Sequence, residues 1–181
     1  MKKRNKFIAT FLLFAAVSLG IGYAALTDSF TVHGDVGANK NNENLKCVFD
    51  GDASTVDGTY CTWATEQGSA AIDGRTDCEL VFQNLNTKGQ VAKAKLVVEN
   101  RSINDASLTA VLSEPTVTHH LNASVFKVTA HWEGPSGAVT APTIASGESA
   151  TIHIEIEMLT TPTNAIDASA LSVTFTATTV A

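Results

Sequence analysis

The chain has 181 residues, of which 44% are hydrophobic, and a formal net charge of −6 at pH 7. The first 24 residues hold 4 of the 12 basic side chains and none of the 18 acidic ones, so the remaining 157 residues have a formal charge of −10. A surface this acidic repels a phosphate backbone, and nucleic acid is therefore not an expected partner. The length is sufficient for one domain with a hydrophobic core of its own.

Residues 1–24 have the three parts of a secretory signal. A positively charged start at residues 2–6 precedes an apolar stretch at residues 7–21, and small residues follow in a G-Y-A sequence that ends at Ala24. The apolar stretch is shorter than the ~20 residues of a membrane-spanning helix, and no stop-transfer charges follow it. We predict cleavage between Ala24 and Ala25, an extracellular or cell-surface location, and membrane contact only before cleavage. An uncleaved membrane anchor is the alternative.

The segment directly after this cleavage site, residues 25–36, alternates like a strand with one buried face. The residues of one parity are Leu26, Phe30 and Val32, and those of the other are Thr27, Ser29, Thr31 and His33. The sequence therefore predicts a β-strand that starts almost at the predicted cut.

Five later segments alternate with period two, which is typical of antiparallel sheets that cover a shared core. The residues expected to point inward are Ala94, Leu96 and Val98; Leu108, Ala110 and Leu112; Phe126, Val128, Ala130 and Trp132; Ile152, Ile154, Ile156 and Met158; and Leu171, Val173, Phe175 and Ala177. Lys93, Lys95 and Val97 are expected to point outward. A strand near residue 80 and the first strand bring the count to seven or eight, separated by turn signals such as NTKGQ and ASGES. We predict an all-β fold, a two-sheet β-sandwich or jelly roll, with residues 37–181 as a single domain.

Residues 47–78 do not follow this alternation and are expected to form a loop-rich insertion with one or two short strands. Asp50, Asp52 and Asp57 lie there among small residues, and carboxylate oxygens are the ligands that calcium prefers. They are weak candidates, because the glycine and the terminal glutamate of an EF-hand loop are missing and aspartate is an ordinary turn residue.

The sequence has three cysteines, Cys47, Cys61 and Cys78. An odd number in an exported protein permits one disulfide and one thiol, or three thiols. Their spacing lacks the C-x-x-C pairs of a zinc site.

No catalytic motif is present, and we predict neither an enzyme nor a bound cofactor. The five histidines, His33, His119, His120, His131 and His153, do not form H-E-x-x-H, and no serine lies in G-x-S-x-G. The parity of their strands places His131 and His153 outward, as solvated side chains. Tyr60, Trp63 and Trp132 are candidates for a sugar-stacking surface, although parity points Trp132 inward. A monomeric cell-surface module that binds carbohydrate or protein therefore stays as an alternative.

Three stretches resemble the TasA/camelysin family of exported, matrix-forming proteins of Gram-positive bacteria. They are GYA-ALTDSFTVHG at the predicted cut, LVFQNLNTKGQVAKAKLVVENRS in the middle, and SATIHIEIEML after a glycine turn. The likeness covers residues 1–34, residues 79–112 and the SATIHIEIEML stretch, and it does not extend over residues 35–78.

This resemblance implies a jelly-roll subunit of a secreted, extracellular or biofilm-matrix fibre, cleaved by a SipW-type signal peptidase. It implies that the mature N-terminal segment is donated to the next copy in a head-to-tail homopolymer, with an accessory matrix protein as a possible further partner. The residues that correspond to the donor segment are Ala25, Leu26, Thr27, Asp28, Ser29 and Phe30. Camelysins have been labelled metalloproteases, which gives a second alternative, but this sequence has no zinc-binding motif to support it.

Overall fold

The computed structural model describes residues 26–36, 45–64, 68–102, 108–119, 121–134, 137–161 and 171–179. These residues form twelve strands and one short 3₁₀ helix (Gly68–Ala71). The strands are β1 (Leu26–Val36), β2 (Cys47–Val56), β3 (Cys61–Trp63), β4 (Asp77–Leu85), β5 (Val91–Asn100), β6 (Ala110–Leu112), β7 (Thr116–His119), β8 (Phe126–Gly134), β9 (Gly137–Val139), β10 (Thr143–Ile144), β11 (Ser149–Met158) and β12 (Leu171–Thr179). The count exceeds the predicted seven or eight because the structure adds β2 and four strands of only two to four residues, β3, β7, β9 and β10.

The strands form two sheets, which confirms the predicted all-β, two-sheet sandwich. The first sheet has the order β10-β6-β12-β1-β4-β3, with β7 also paired to β12. The second has the order β2-β5-β11-β8-β9. In the described residues the one parallel pair is β1 with β12, and the other pairs are antiparallel.

The core lies between the two sheets and contains the residues that period two points inward. β11 shows this most clearly, because Ile152, Ile154, Ile156 and Met158 are at most 1% exposed. The expected inward residues of β5 and β12 are buried wherever their side chains are described, whereas on β8 Phe126 and Trp132 are buried and Val128 and Ala130 are partly buried against the core.

Val97 is the exception, because it was expected outward and is buried. It lies beside the point where β2 shifts register between Asp50 and Thr55. The buried hydroxyl of Ser54, which belongs to this irregular part of β2, accepts a hydrogen bond of 2.9 Å from the Val97 amide. The burial of Val97 therefore coincides with the irregular part of β2.

Trp132 joins the two sheets across the core. Its ring lies edge-on to Phe175 of β12 at a centroid distance of 5.0 Å, and its Nε1 donates to the Ser113 carbonyl at 2.8 Å. Phe49 of β2 also meets Phe175 edge-on, at 6.1 Å. Edge-to-face aromatic pairs add to the free energy of burial, so these contacts fix how the sheets pack on each other.

Asn100 provides a second, polar connection and is completely buried. Its Nδ2 donates to the carbonyls of Leu108 and Ile144, at 3.0 and 3.2 Å. Its Oδ1 accepts hydrogen bonds from the amide and the hydroxyl of Ser102. The end of β5 is thereby tied to the segments that lead into β6 and out of β10.

Residues 47–78 are more regular than the sequence predicts. They include the ten-residue strand β2, which starts with three consecutive buried residues and pairs with β5 along the second sheet. The loop before β4 is held by Arg101, whose guanidinium bonds both oxygens of Asp73 at 2.7 and 3.1 Å and Glu99 at 2.6 Å. This segment is therefore a part of the sandwich and not an excursion from it.

Candidate functional site: the first strand and the slot it fills

The first strand occupies the middle of the first sheet. β1 runs parallel to β12 on one side and antiparallel to β4 on the other. Backbone N–H and C=O groups of both neighbours therefore form the walls of a slot, and β1 fills it. We use "the slot" for this space between β4 and β12.

The two halves of β1 are paired differently. Residues 31–36 have partners on β12, from Thr31 with Ser172 to Val36 with Ala177. Within the described residues, 26–30 pair with β4 alone, and the register shifts between Leu26 and Asp28. Residues 31–33 pair with both neighbours, so this stretch anchors β1 between β4 and β12.

The floor of the slot is hydrophobic. Both neighbouring strands have buried side chains that belong to the core. These are Leu80 and Phe82 of β4 and Val173, Phe175 and Ala177 of β12. Without a strand in the slot, two rows of backbone groups and the flank of this core would face water. Exposure of this apolar surface is unfavourable, and the two open strand edges would be free to pair with another strand, so the fold favours some strand in this position.

The predicted donor residues Leu26, Thr27, Asp28, Ser29 and Phe30 all lie in β1. The predicted signal, including Ala24, and Ala25 lie outside the described residues. In the part of the chain that the structure describes, no helix is long and apolar enough to cross a bilayer.

Two of the three aspartates considered for calcium, Asp50 and Asp57, accept hydrogen bonds from backbone amides. Asp57 Oδ1 accepts hydrogen bonds from the amides of residues 59, 60 and 61 at 2.6–3.0 Å, and its Oδ2 accepts from the Lys93 amide at 2.7 Å. Asp50 Oδ1 accepts from the amides of Asp52 and Ala53. Across the described ranges, no three His, Cys, Asp or Glu side chains form a group that could hold a metal. The calcium site stays a prediction, and these contacts assign the carboxylates to turn formation.

Two of the predicted histidines meet on the outer face of the second sheet. His131 of β8 lies directly opposite His153 of β11, and their rings stack at a centroid distance of 5.6 Å. Glu133 lies beside them, with Oε2 at 3.2 Å from His153 Nε2. His33 lies on β1 and His119 on β7, while His120 is outside the described residues.

The aromatic residues considered for sugar binding are not brought together as a platform. Trp132 is fully buried, which confirms its inward parity. Tyr60 and Trp63 are half-buried at the β3 edge, and the Tyr60 hydroxyl accepts a hydrogen bond from Gln90 at 3.1 Å.

Two surface concavities lie elsewhere. One of 220 Å³ lies on the second sheet beside Lys93 and His153, and one of 380 Å³ lies beside Pro142 and Thr151. Small-molecule sites are usually cavities of ~300–1,000 Å³ that enclose most of the ligand, and neither concavity offers converging catalytic groups.

All three cysteines are buried thiols in the core. Burial raises the pKa of Cys47 to about 11. Burial is also the main cause that raises the pKa of Cys61, with smaller contributions from the Asp57 carboxylate and the Cys78 thiol. Since the thiolate is the reactive form, these side chains are suited to packing and not to nucleophilic chemistry.

Sequence reasoning missed the walls of the slot. Alternation predicts β4 and β12 as strands, but it carries no information about which strand accepts β1. The sequence signal that remained was indirect, namely a strand that starts beside a predicted cut. Comparison with known proteins found no family model and no curated protein that matches the chain.

Proposed function

We propose that the protein is a secreted structural subunit of the TasA/camelysin type, whose copies join head to tail by placing β1 of one copy in the slot of the next. The observation that carries this proposal is the position of β1 in the middle of the first sheet, between β4 and β12. The predicted cleavage site lies immediately before this strand.

The slot recognises a strand through its backbone. Main-chain hydrogen bonds supply the affinity when a strand is added to an open sheet edge, and pockets for alternate side chains supply the specificity. A second copy of β1 presents the same backbone pattern and the same side chains as the strand that the slot holds here. Replacement of one by the other therefore keeps the interactions with β4 and β12 and changes only which copy supplies the strand.

This exchange would produce a filament. The donated strand and the slot are different surfaces, so each copy can give one strand and receive one. Such heterologous contacts form open chains when the rotation between copies does not close a ring.

A monomeric surface domain is the second candidate. It is favoured by the fact that β1 fills the slot of its own chain in this structure. In that case β1 is an ordinary first strand.

Cysteine cross-linking distinguishes the two candidates. Ser29 of β1 lies opposite Val81 of β4, and opposite residues of adjacent antiparallel strands have Cα atoms ~4.5–5.5 Å apart, which a disulfide can bridge. We would prepare the double variant Ser29→Cys/Val81→Cys and oxidise it under conditions that favour assembly. If β1 is donated, denaturing electrophoresis without reductant shows a ladder of covalent oligomers.

The matched control is Thr129→Cys/Glu155→Cys, an opposite pair on β8 and β11 that remains within one copy in either candidate. It should give monomers only. If the Ser29→Cys/Val81→Cys variant also gives only monomers while electron microscopy shows filaments, assembly occurs by another contact. If no filaments form at high concentration, the monomeric domain is the better description.

A further inference from the structure

His131 and His153 bring two metal-ligating side chains together outside the slot. They are directly opposite each other on β8 and β11, which are neighbouring strands of the second sheet. Side chains in opposite positions have Cβ atoms ~4.5–5.5 Å apart, so one ion can reach both rings. The rings lie 5.6 Å apart and are inclined by 18°. A rotation about χ2, which is a broad torsion for histidine, turns one nitrogen of each ring toward the other.

Glu133 holds the second histidine in a useful orientation. Its Oε2 is 3.2 Å from His153 Nε2. A neutral His153 that donates Nε2–H to this carboxylate has its lone pair on Nδ1. A carboxylate that accepts the other N–H of a histidine is the usual support of a metal-binding imidazole.

We propose that His131 and His153 form a two-histidine site for a divalent transition-metal ion such as Cu²⁺ or Zn²⁺ on the outer face of the second sheet. Imidazole nitrogen suits these ions, whereas Mg²⁺ and Ca²⁺ prefer oxygen ligands. The His153 side chain is 32% exposed and that of Glu133 is 52% exposed, so an ion can enter from solvent.

The surroundings set the strength of the site. Within the described chain no third His, Cys, Asp or Glu completes a group with the two histidines, so water would fill the remaining positions. Lys95 Nζ is 3.8 Å from Glu133 Oε2, and its positive charge opposes an incoming cation. These features fit an exchangeable ion and not a permanent structural one.

Titration of the purified protein, with the N-terminus that it carries in cells, tests the proposal. We expect saturable binding of one Cu²⁺ per chain, weaker binding of Zn²⁺ in line with the general order of affinities, and none of Mg²⁺ at the same concentration. Electron paramagnetic resonance of the Cu²⁺ complex should show coupling to two imidazole nitrogens. His131→Gln and His153→Gln should each remove this two-nitrogen signal while circular dichroism stays unchanged, since both side chains lie on the outer face.

Two charge variants separate a defined site from general attraction to an acidic surface. Glu133→Gln should weaken Cu²⁺ binding by about tenfold, the lower end for loss of a group that orients a ligand. Lys95→Gln should strengthen it. Glu155→Gln is the matched control, because it removes a carboxylate on the same face, opposite Thr129, and should leave binding unchanged. The proposal is wrong if the two-nitrogen signal survives in either histidine variant, or if Glu155→Gln weakens binding as much as Glu133→Gln does.

Discussion

The substitution Asn100→Leu tests the polar connection between the two sheets. Leucine has the same number and branching of side-chain heavy atoms as asparagine, so it keeps the approximate shape of the side chain and removes the hydrogen bonds, although its methyl groups are bulkier than the amide O and N. Asn100 is fully buried, and water cannot replace the bonds that it makes. The carbonyls of Leu108 and Ile144 lose a donor, and the amide of Ser102 loses its acceptor.

The magnitude follows from these three backbone groups. Each buried group left without its partner costs about 1–3 kcal/mol. We therefore expect Asn100→Leu to lower the free energy of unfolding by about 3 kcal/mol or more, a large part of the 5–15 kcal/mol that holds a typical domain together. Urea denaturation followed by circular dichroism measures this difference.

Asn100→Asp adds a dependence on pH with a definite sign. A carboxylate at this position faces two carbonyl oxygens at 3.0 and 3.2 Å in a buried site, so its pKa in the folded state rises above the unfolded value of ~3.9. The folded state then binds more protons, and stability falls as the pH rises through the folded-state pKa. The stability of the Asn100→Asp variant should be closest to that of the parent near pH 4 and furthest below it at pH 7.

Asn122→Asp is the control, because Asn122 is exposed and its Oδ1 accepts two hydrogen bonds from Ser124 that a carboxylate can also accept. It should change the stability by no more than about 0.5 kcal/mol. Equal effects at positions 100 and 122, or an Asn100→Asp variant whose stability difference from the parent is the same at pH 4 and pH 7, would refute the role given to Asn100.

Three further predictions use the same denaturation assay or a thiol reagent. Ile154→Asp buries an unpaired carboxylate in the core and should cost several kcal/mol or prevent folding, whereas Glu155→Lys on the outer face should stay within about 0.5 kcal/mol. Arg101 lowers the pKa of Asp73 in the folded state, so their ion pair stabilises the protein above pH ~4. This contribution is lost as the pH falls through the lowered pKa of Asp73. In the Arg101→Gln variant, the free energy of unfolding should no longer show this decrease at acidic pH. Cys61 should resist alkylation by iodoacetamide in the folded protein and react on unfolding, because burial raises its pKa; rapid labelling of the native protein would contradict this.

Period two predicted the sandwich because the sheets bury one face and leave the other in water. β11 follows this rule along its whole length, from Ala150 to Met158. The rule fails for β2, which starts with Cys47, Val48 and Phe49 buried in succession and then shifts register. No periodicity exists in such a segment, and the glycines and aspartates that allow its irregular shape are also the residues of loops.

The candidate sites were predictable only in part, because each depends on which strands are neighbours. Parity placed His131 and His153 outward, but their contact follows from the pairing of β8 with β11 in one particular register. Asn100 ends a predicted strand and carries no local sign that three separate segments converge on its amide. In both cases the chemistry arises from residues far apart in sequence, and alternation within one strand cannot reveal it.

The position of the predicted cut relative to β1 constrains when the slot can be filled. Cleavage between Ala24 and Ala25 leaves a single residue before β1 begins at Leu26. The predicted apolar stretch ends at residue 21, so residues 22–25, which span at most about 14 Å, would hold the start of β1 near the bilayer surface in an uncleaved chain. There, residues 26–30 could not cross to the slot of another copy without drawing the signal out of the membrane. We propose that cleavage is the step that permits exchange, because it frees the N-terminal end of β1 from the membrane while residues 31–36 still pair with β12.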